Sequence, residues 1–169
     1  QAAWDRTTGT STLVVAVLDT GLRPEHLDLQ GQWVAGRDFV SDATYAGDGN
    51  GRDTDPTDPG DYVTAAEAAT SKFRQEGCTE GNSSWHGTKV AGIIAAATNN
   101  GQGMAGLAHG ARVMAVRVLG KCGGFDSDIA AGMLWAAGVD QPGIPGSTTP
   151  ARVLNLSLGG TGSCSQVYQ

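Results

Sequence analysis

The sequence has no long hydrophobic run, no C-x-x-C pair and no cluster of lysine and arginine. Its longest apolar stretches, such as Leu13 to Leu18, are strand-length, and the first residues lack the charged-then-apolar pattern of a signal peptide. The expectation is a soluble chain from which any export signal has already been removed. Basic residues number 11 against 17 acidic ones, a formal charge of −6, which makes nucleic acid a poor partner. Without C-x-x-C spacing, zinc and thioredoxin-like redox sites lose their usual support. What is there suffices for one domain over residues 1–169: 40% of residues are hydrophobic, enough for a core, and 26 glycines imply tight, frequent turns.

Three cysteines, Cys78, Cys122 and Cys164, leave one thiol over. In an exported protein the simplest arrangement is one internal disulfide plus one bond to a partner segment. Cys78 with Cys122 is the favoured pair, because each lies in a Gly-rich surface stretch; three reduced, buried thiols are the other reading.

Leu13 to Leu18 is a continuous β-rich run that stops at Asp19-Thr20-Gly21, as a strand buried on both faces would. From Gly36 to Gly81 the chain turns polar, with an acidic loop from Gly47 to Asp61 and a helical candidate from Thr64 to Phe73; these read as insertions over a core. Val90 to Ala97 is an Ala-rich helix ending in Asn99-Asn100-Gly101. A second strand spans Arg112 to Leu119. After the glycines of 120–124, Asp126-Ser127-Asp128 offers an N-cap for a helix from Ile129 to Ala137. Arg152 to Leu158 is a third strand. The alternation predicts an α/β fold, a mostly parallel sheet flanked by helices, with functional groups at the carboxyl ends of the strands. The last residues, Ser163 to Gln169, stop without a cap or polar tail, as though a further element followed.

Two residues stand where chemistry is expected. Asp19 follows the first strand directly, so its carboxylate is rigidly held; alone, such an aspartate is as often a turn or cap residue. His86 precedes small residues in His86-Gly87-Thr88-Lys89-Val90-Ala91-Gly92, which lets a helix pack closely behind it. At a helix start the positive end of the dipole disfavours imidazolium and keeps a general base neutral. A lone histidine of this kind is more often structural.

The two segments together resemble the subtilisin (subtilase) family over essentially the whole chain, which implies that residues 1–169 are the N-terminal half of a single subtilisin-like catalytic domain. Asp19-Thr20-Gly21 matches its Asp-[Ser/Thr]-Gly motif, the segment from His86 to Gly92 its His-Gly-Thr-His-Val-Ala-Gly motif, and Asn155-Leu156-Ser157-Leu158-Gly159-Gly160 the strand lining its primary specificity pocket. In Trp85 and the insertion ahead of it the chain resembles the bacterial extracellular branch more than the classical small enzymes. The resemblance implies that His86 is the general base of a serine endopeptidase, that Asp19 fixes its tautomer, that Ser157, Leu158 and Gly159 bind substrate, and that Gly123 and Gly124 pair with substrate backbone. The family's Gly-Thr-Ser-Met-Ala nucleophile motif is absent, as is the later oxyanion-hole asparagine. Ser157 is no substitute, since it falls within the expected third strand without the sharp turn that exposes a nucleophile. Lys89 replaces a histidine of the motif, with a local packing effect expected.

Asp48, Asp53, Asp55, Asp58 and Asp61 crowd one loop, and crowded carboxylates call for a cation; hard oxygen ligands select Ca²⁺, with Asp48, Asp53, Asp58 and Asp61 as candidates. The alternative is a solvated acidic loop. By the resemblance, Asp28 in His26-Leu27-Asp28-Leu29 forms a second calcium site with the loop near Asn99. His26 and His109 read as surface or packing residues. The expected protein is a secreted, calcium-stabilised serine endopeptidase acting on protein or peptide, whose serine lies on a C-terminal segment beyond or separate from this chain. The rivals are a protease-like module that only binds peptide or calcium, and a small nucleotide binder, which lacks a Gly-rich phosphate fingerprint.

Overall fold

The computed structural model describes residues 2–161 and 166–168. Strand β1 (Val14–Asp19) is buried at all six positions. It is followed by β2 (Trp33–Asp38), one-turn helices α1 (Ala43–Ala46), α2 (Ala65–Ala68) and α3 (Ser71–Gln75), helix α4 (His86–Ala95), strand β3 (Arg112–Arg117), helix α5 (Asp126–Ala136) and the short strand β4 (Val153–Asn155). The four strands form one sheet in the order β2-β3-β1-β4, every pairing parallel, with Asp19 opposite Arg117 and Val17 opposite Asn155. Alternate residues of β1 face opposite layers: Val14, Ala16 and Leu18 pack with Ile129 and Trp135 of α5, and Val17 packs with Ala91 and Ala95 of α4. A strand covered on both faces needs apolar residues at every position, which is why β1 reads as an unbroken run.

Strand β2 has no counterpart among the expected elements. It is an edge strand with partly exposed residues, Trp33 among them, and pairing with β3 rather than its own hydrophobicity holds it in place. The helix expected over 64–73 is two single turns: Thr64 and Glu67 form a capping box on α2, and Thr70 opens α3. The third strand ends at Asn155, so Ser157 lies beyond regular pairing, exposed, where its Oγ accepts from Asn155 Nδ2 at 2.9 Å. Helix α5 is not capped by Asp126, Ser127 or Asp128; Phe125 holds the cap position, and Asp128 points inward to accept from Ser41 N and Ser41 Oγ, both at 2.9 Å, and from Arg52. The Ser41 segment leaves the end of β2, so a sheet edge the sequence did not announce also drew away the expected cap.

Cys78 and Cys122 are joined in a disulfide, with Cα atoms 5.5 Å apart. The bond ties the polar insertion to the loop after β3. The further bond expected for Cys164 lies outside the described residues. Among the described residues no helix is long and apolar enough to cross a membrane.

At the end of β3, Arg117 is 1% exposed and pairs with Asp38, which is fully buried, and with Asp48. Burial pushes the Asp38 carboxyl up to about 7, against the downward pull of Arg117. A folded-state value above the ordinary 3.8 means that the folded chain holds this proton more tightly than the unfolded one. The stabilisation is complete below about pH 4 and is lost as pH rises through about 7. Thermal midpoints should therefore fall over this interval, and Asp38→Asn should flatten the slope; an identical slope in the variant counts against the assignment.

Candidate active site

The carboxyl end of β1 and the start of α4 meet. His86 Nδ1 lies 2.9 Å from Asp19 Oδ1 and 2.8 Å from Oδ2. Asp19 is completely buried, whereas the His86 side chain is 44% exposed, so the imidazole spans from a dry carboxylate to the surface. Asp19 Oδ1 also accepts from the Thr20 amide at 2.8 Å, and its carbonyl takes the amides of Val118 and Leu119 as the chain leaves β3. These bonds leave the carboxylate little freedom to turn. The glycines beside both residues have a steric cause: a Cβ on Gly87 would lie 2.3 Å from the Gly21 carbonyl oxygen, and one on Gly21 2.6 Å from that of Pro56. Only a bare backbone lets helix start and strand end come this close. Trp85, just before the histidine, takes the left-handed conformation at φ 51° and carries Arg23 over its ring.

Gly123, Gly124, Ser157, Leu158 and Gly159 line one open cleft of about 580 Å³ together with Leu119, Ile129 and Leu156. A Cβ at Gly123 would meet nothing within 4 Å, so its outer face is open to a peptide. Two backbone segments lining one cleft can pair with an extended chain as an added strand.

The residues expected to bind calcium have hydrogen-bond and ion-pair partners of their own. Asp48 pairs with Arg117; Asp53 accepts from Asn50 Nδ2 at 2.7 Å and from the Asp55 amide at 2.7 Å. Asp58 is buried and accepts from Thr20 Oγ1 at 2.7 Å and the Gly60 amide at 2.8 Å; burial pushes its carboxyl up, with these bonds pulling the other way. Asp61 accepts from Ser84 N at 2.6 Å and Ser84 Oγ at 2.7 Å. Asp28 accepts from the Met104 amide at 2.7 Å and from Asn100 Nδ2 at 2.8 Å, and these two bonds hold its carboxyl below the usual range. The neighbour with a side-chain bond to Asp28 is thus Asn100, not Asn99, whose backbone takes the left-handed conformation at φ 62°. Among the described residues no three His, Cys, Asp or Glu side chains come together to hold a metal. Hydrogen-bond donors and the guanidinium of Arg117 thus meet each of these carboxylates.

Sequence reasoning missed Thr20, Ser84 and Arg117. Thr20 and Ser84 each sit one or two residues from a recognised position, which was the only available signal; Arg117 was hidden inside a strand.

The sequence model of the subtilase family matches residues 10–169. An extracellular protease of Xanthomonas campestris pv. campestris is 54% identical over 99% of this chain, and an extracellular basic protease of Dichelobacter nodosus 49% identical over 98%. The chain spans 27% of the length of each. A solved protease structure from Pseudoalteromonas arctica superposes with a TM-score of 0.87 at 55% identity, covering 98% of this chain and 46% of that one.

Proposed function

Because this chain belongs to the subtilase family, we propose that it supplies the aspartate and histidine of an Asp-His-Ser triad in a secreted serine endopeptidase, the serine lying on a further segment. The observation that carries the reading is the bond from His86 Nδ1 to Asp19 Oδ2 at 2.8 Å. With Nδ1–H held by a buried carboxylate, Nε2 is the free base. It takes the proton of the serine as that oxygen attacks the scissile carbonyl, then returns it to the departing amine, while Asp19 stabilises the imidazolium formed in between. Substrate lies extended in the cleft, its backbone against Gly123 and Gly124 and against Ser157 to Gly159. The chemical class of substrate is protein or peptide, in keeping with the names of the relatives, which also support secretion.

The sheet supports a partner segment of the same catalytic domain. Among the described residues β4 pairs only with β1, and Val153 on it is 49% exposed, leaving a free edge to which further strands can add.

Labelling with a serine-directed phosphonate, followed by mass, tests the reading. Adduct is expected on an associated segment and none on residues 1–169. A protein that binds peptide but takes no label would be a module without activity, and label on Ser157 would assign the nucleophile to this chain instead.

A further inference from the structure

Helix α4 starts without a capping side chain of its own, for Trp85 at the cap position makes no side-chain hydrogen bond. The first amides of a helix have no partners within it and must find them elsewhere. Two of them find hydroxyls. The His86 amide donates to Ser84 Oγ at 3.2 Å, and the Gly87 amide donates to Thr20 Oγ1 at 3.1 Å.

Each hydroxyl has a single hydrogen and directs it to a carboxylate: Ser84 Oγ to Asp61 Oδ2 and Thr20 Oγ1 to Asp58 Oδ2, both at 2.7 Å. The second oxygen of each carboxylate is taken by a backbone amide, that of Ser84 for Asp61 and that of Gly60 for Asp58. In their ionised form both carboxylates act only as acceptors, and this sets the direction of both chains: helix amide to hydroxyl, hydroxyl to carboxylate. Thr20 does more, since its own amide donates to Asp19 Oδ1 at 2.8 Å. One residue thus holds the aspartate through its nitrogen and the start of the histidine helix through its oxygen, while Asp58 sets which way that oxygen faces. Hydrogen bonds to an ionised acceptor are the stronger kind, and negative charge beside a helix N-terminus is favourable.

We propose that Asp58 and Asp61 are positioning residues of the Asp19–His86 pair, each acting through a hydroxyl, Thr20 or Ser84, that anchors the first turn of α4. Neither touches the reacting atoms. The inference rests on the protease reading for its catalytic consequence, though its geometry stands apart from it. Without Asp58 the Thr20 hydroxyl is free to rotate, and both the strand end and the helix start lose a fixed point.

The test is proton magnetic resonance of the full chain, following the downfield Nδ1 proton that His86 shares with Asp19. Asp58→Asn and Thr20→Val should each shift or broaden this resonance, whereas Thr20→Ser, which keeps the hydroxyl, should retain it. In the chain assembled with its serine-bearing segment, Asp58→Asn should lower kcat roughly ten-fold or more with KM nearly unchanged, the signature of misaligned reacting groups rather than weaker binding. An unmoved resonance in Thr20→Val, at wild-type circular dichroism, overturns the proposal; the serine and valine pair keeps the test decisive even if Asp58→Asn fails to fold. A wild-type chain with no such resonance would instead sink the protease reading, so the two failures are distinct.

Discussion

Asp19→Asn, in the chain assembled with its serine-bearing segment, should lower kcat by about 10⁴-fold while leaving the fold intact. Both oxygens of Asp19 are acceptors, one shared by the Thr20 amide and His86 Nδ1 and the other within 2.8 Å of the same ring nitrogen. An asparagine has one acceptor. If its oxygen keeps the Thr20 amide, its NH₂ faces Nδ1, and the imidazole must place its proton on Nε2, where the serine proton has to go. The shape is kept and the base is lost. Hydrolysis of a chromogenic peptide, measured beside a thermal melt, separates the two: a variant with wild-type melting and less than a ten-fold loss would show that Asp19 does not set the tautomer.

Arg117→Met should destabilise the chain by about 3–5 kcal/mol, measured by urea unfolding at about pH 8, where Asp38 is ionised. Methionine fills much of the volume but removes the pull of Arg117 on Asp38, so the completely buried carboxyl must either stay charged without a partner or take up a proton that is scarce at this pH, and both cost stability. The guanidinium also donates to the Ala46 carbonyl, which would lose a partner. Removing both charges together, as Arg117→Met with Asp38→Asn, should recover part of the loss, because an unpaired buried charge costs more than a neutral amide. A loss under about 1 kcal/mol for the single variant would mean that water or a proton meets Asp38 once the arginine is gone, so that no unpaired buried charge remains.

Arg117 also shows what a reading of the acidic loop from sequence leaves out. Carboxylates close in the chain were expected to need a metal, on the sound ground that like charges repel. In the fold, Asp48 turns to an arginine that comes from β3, 69 residues away. Asp58 turns to the Thr20 hydroxyl and Asp61 to that of Ser84. Charge crowding along the chain could not show from which strand a cation or donor would arrive.

Strand β2 was missed for a related reason. An edge strand gains its stability from one neighbour and need not be apolar, so Trp33-Val34-Ala35-Gly36-Arg37-Asp38 carries no strong periodic signal. Strand β1 is buried on both faces and could be read directly.

The sequence by itself determined the parallel α/β plan, the positions of Asp19 and His86, and the glycines beside them. These depend on short-range rules: apolar runs for doubly buried strands, and bare backbone where two segments cross. Only the tertiary structure decided what surrounds that pair, because Thr20, Ser84, Asp58 and Asp61 act through bonds whose value depends on distance and direction in space. A hydroxyl can face many donors and acceptors from the same place in a sequence, and packing selects among them.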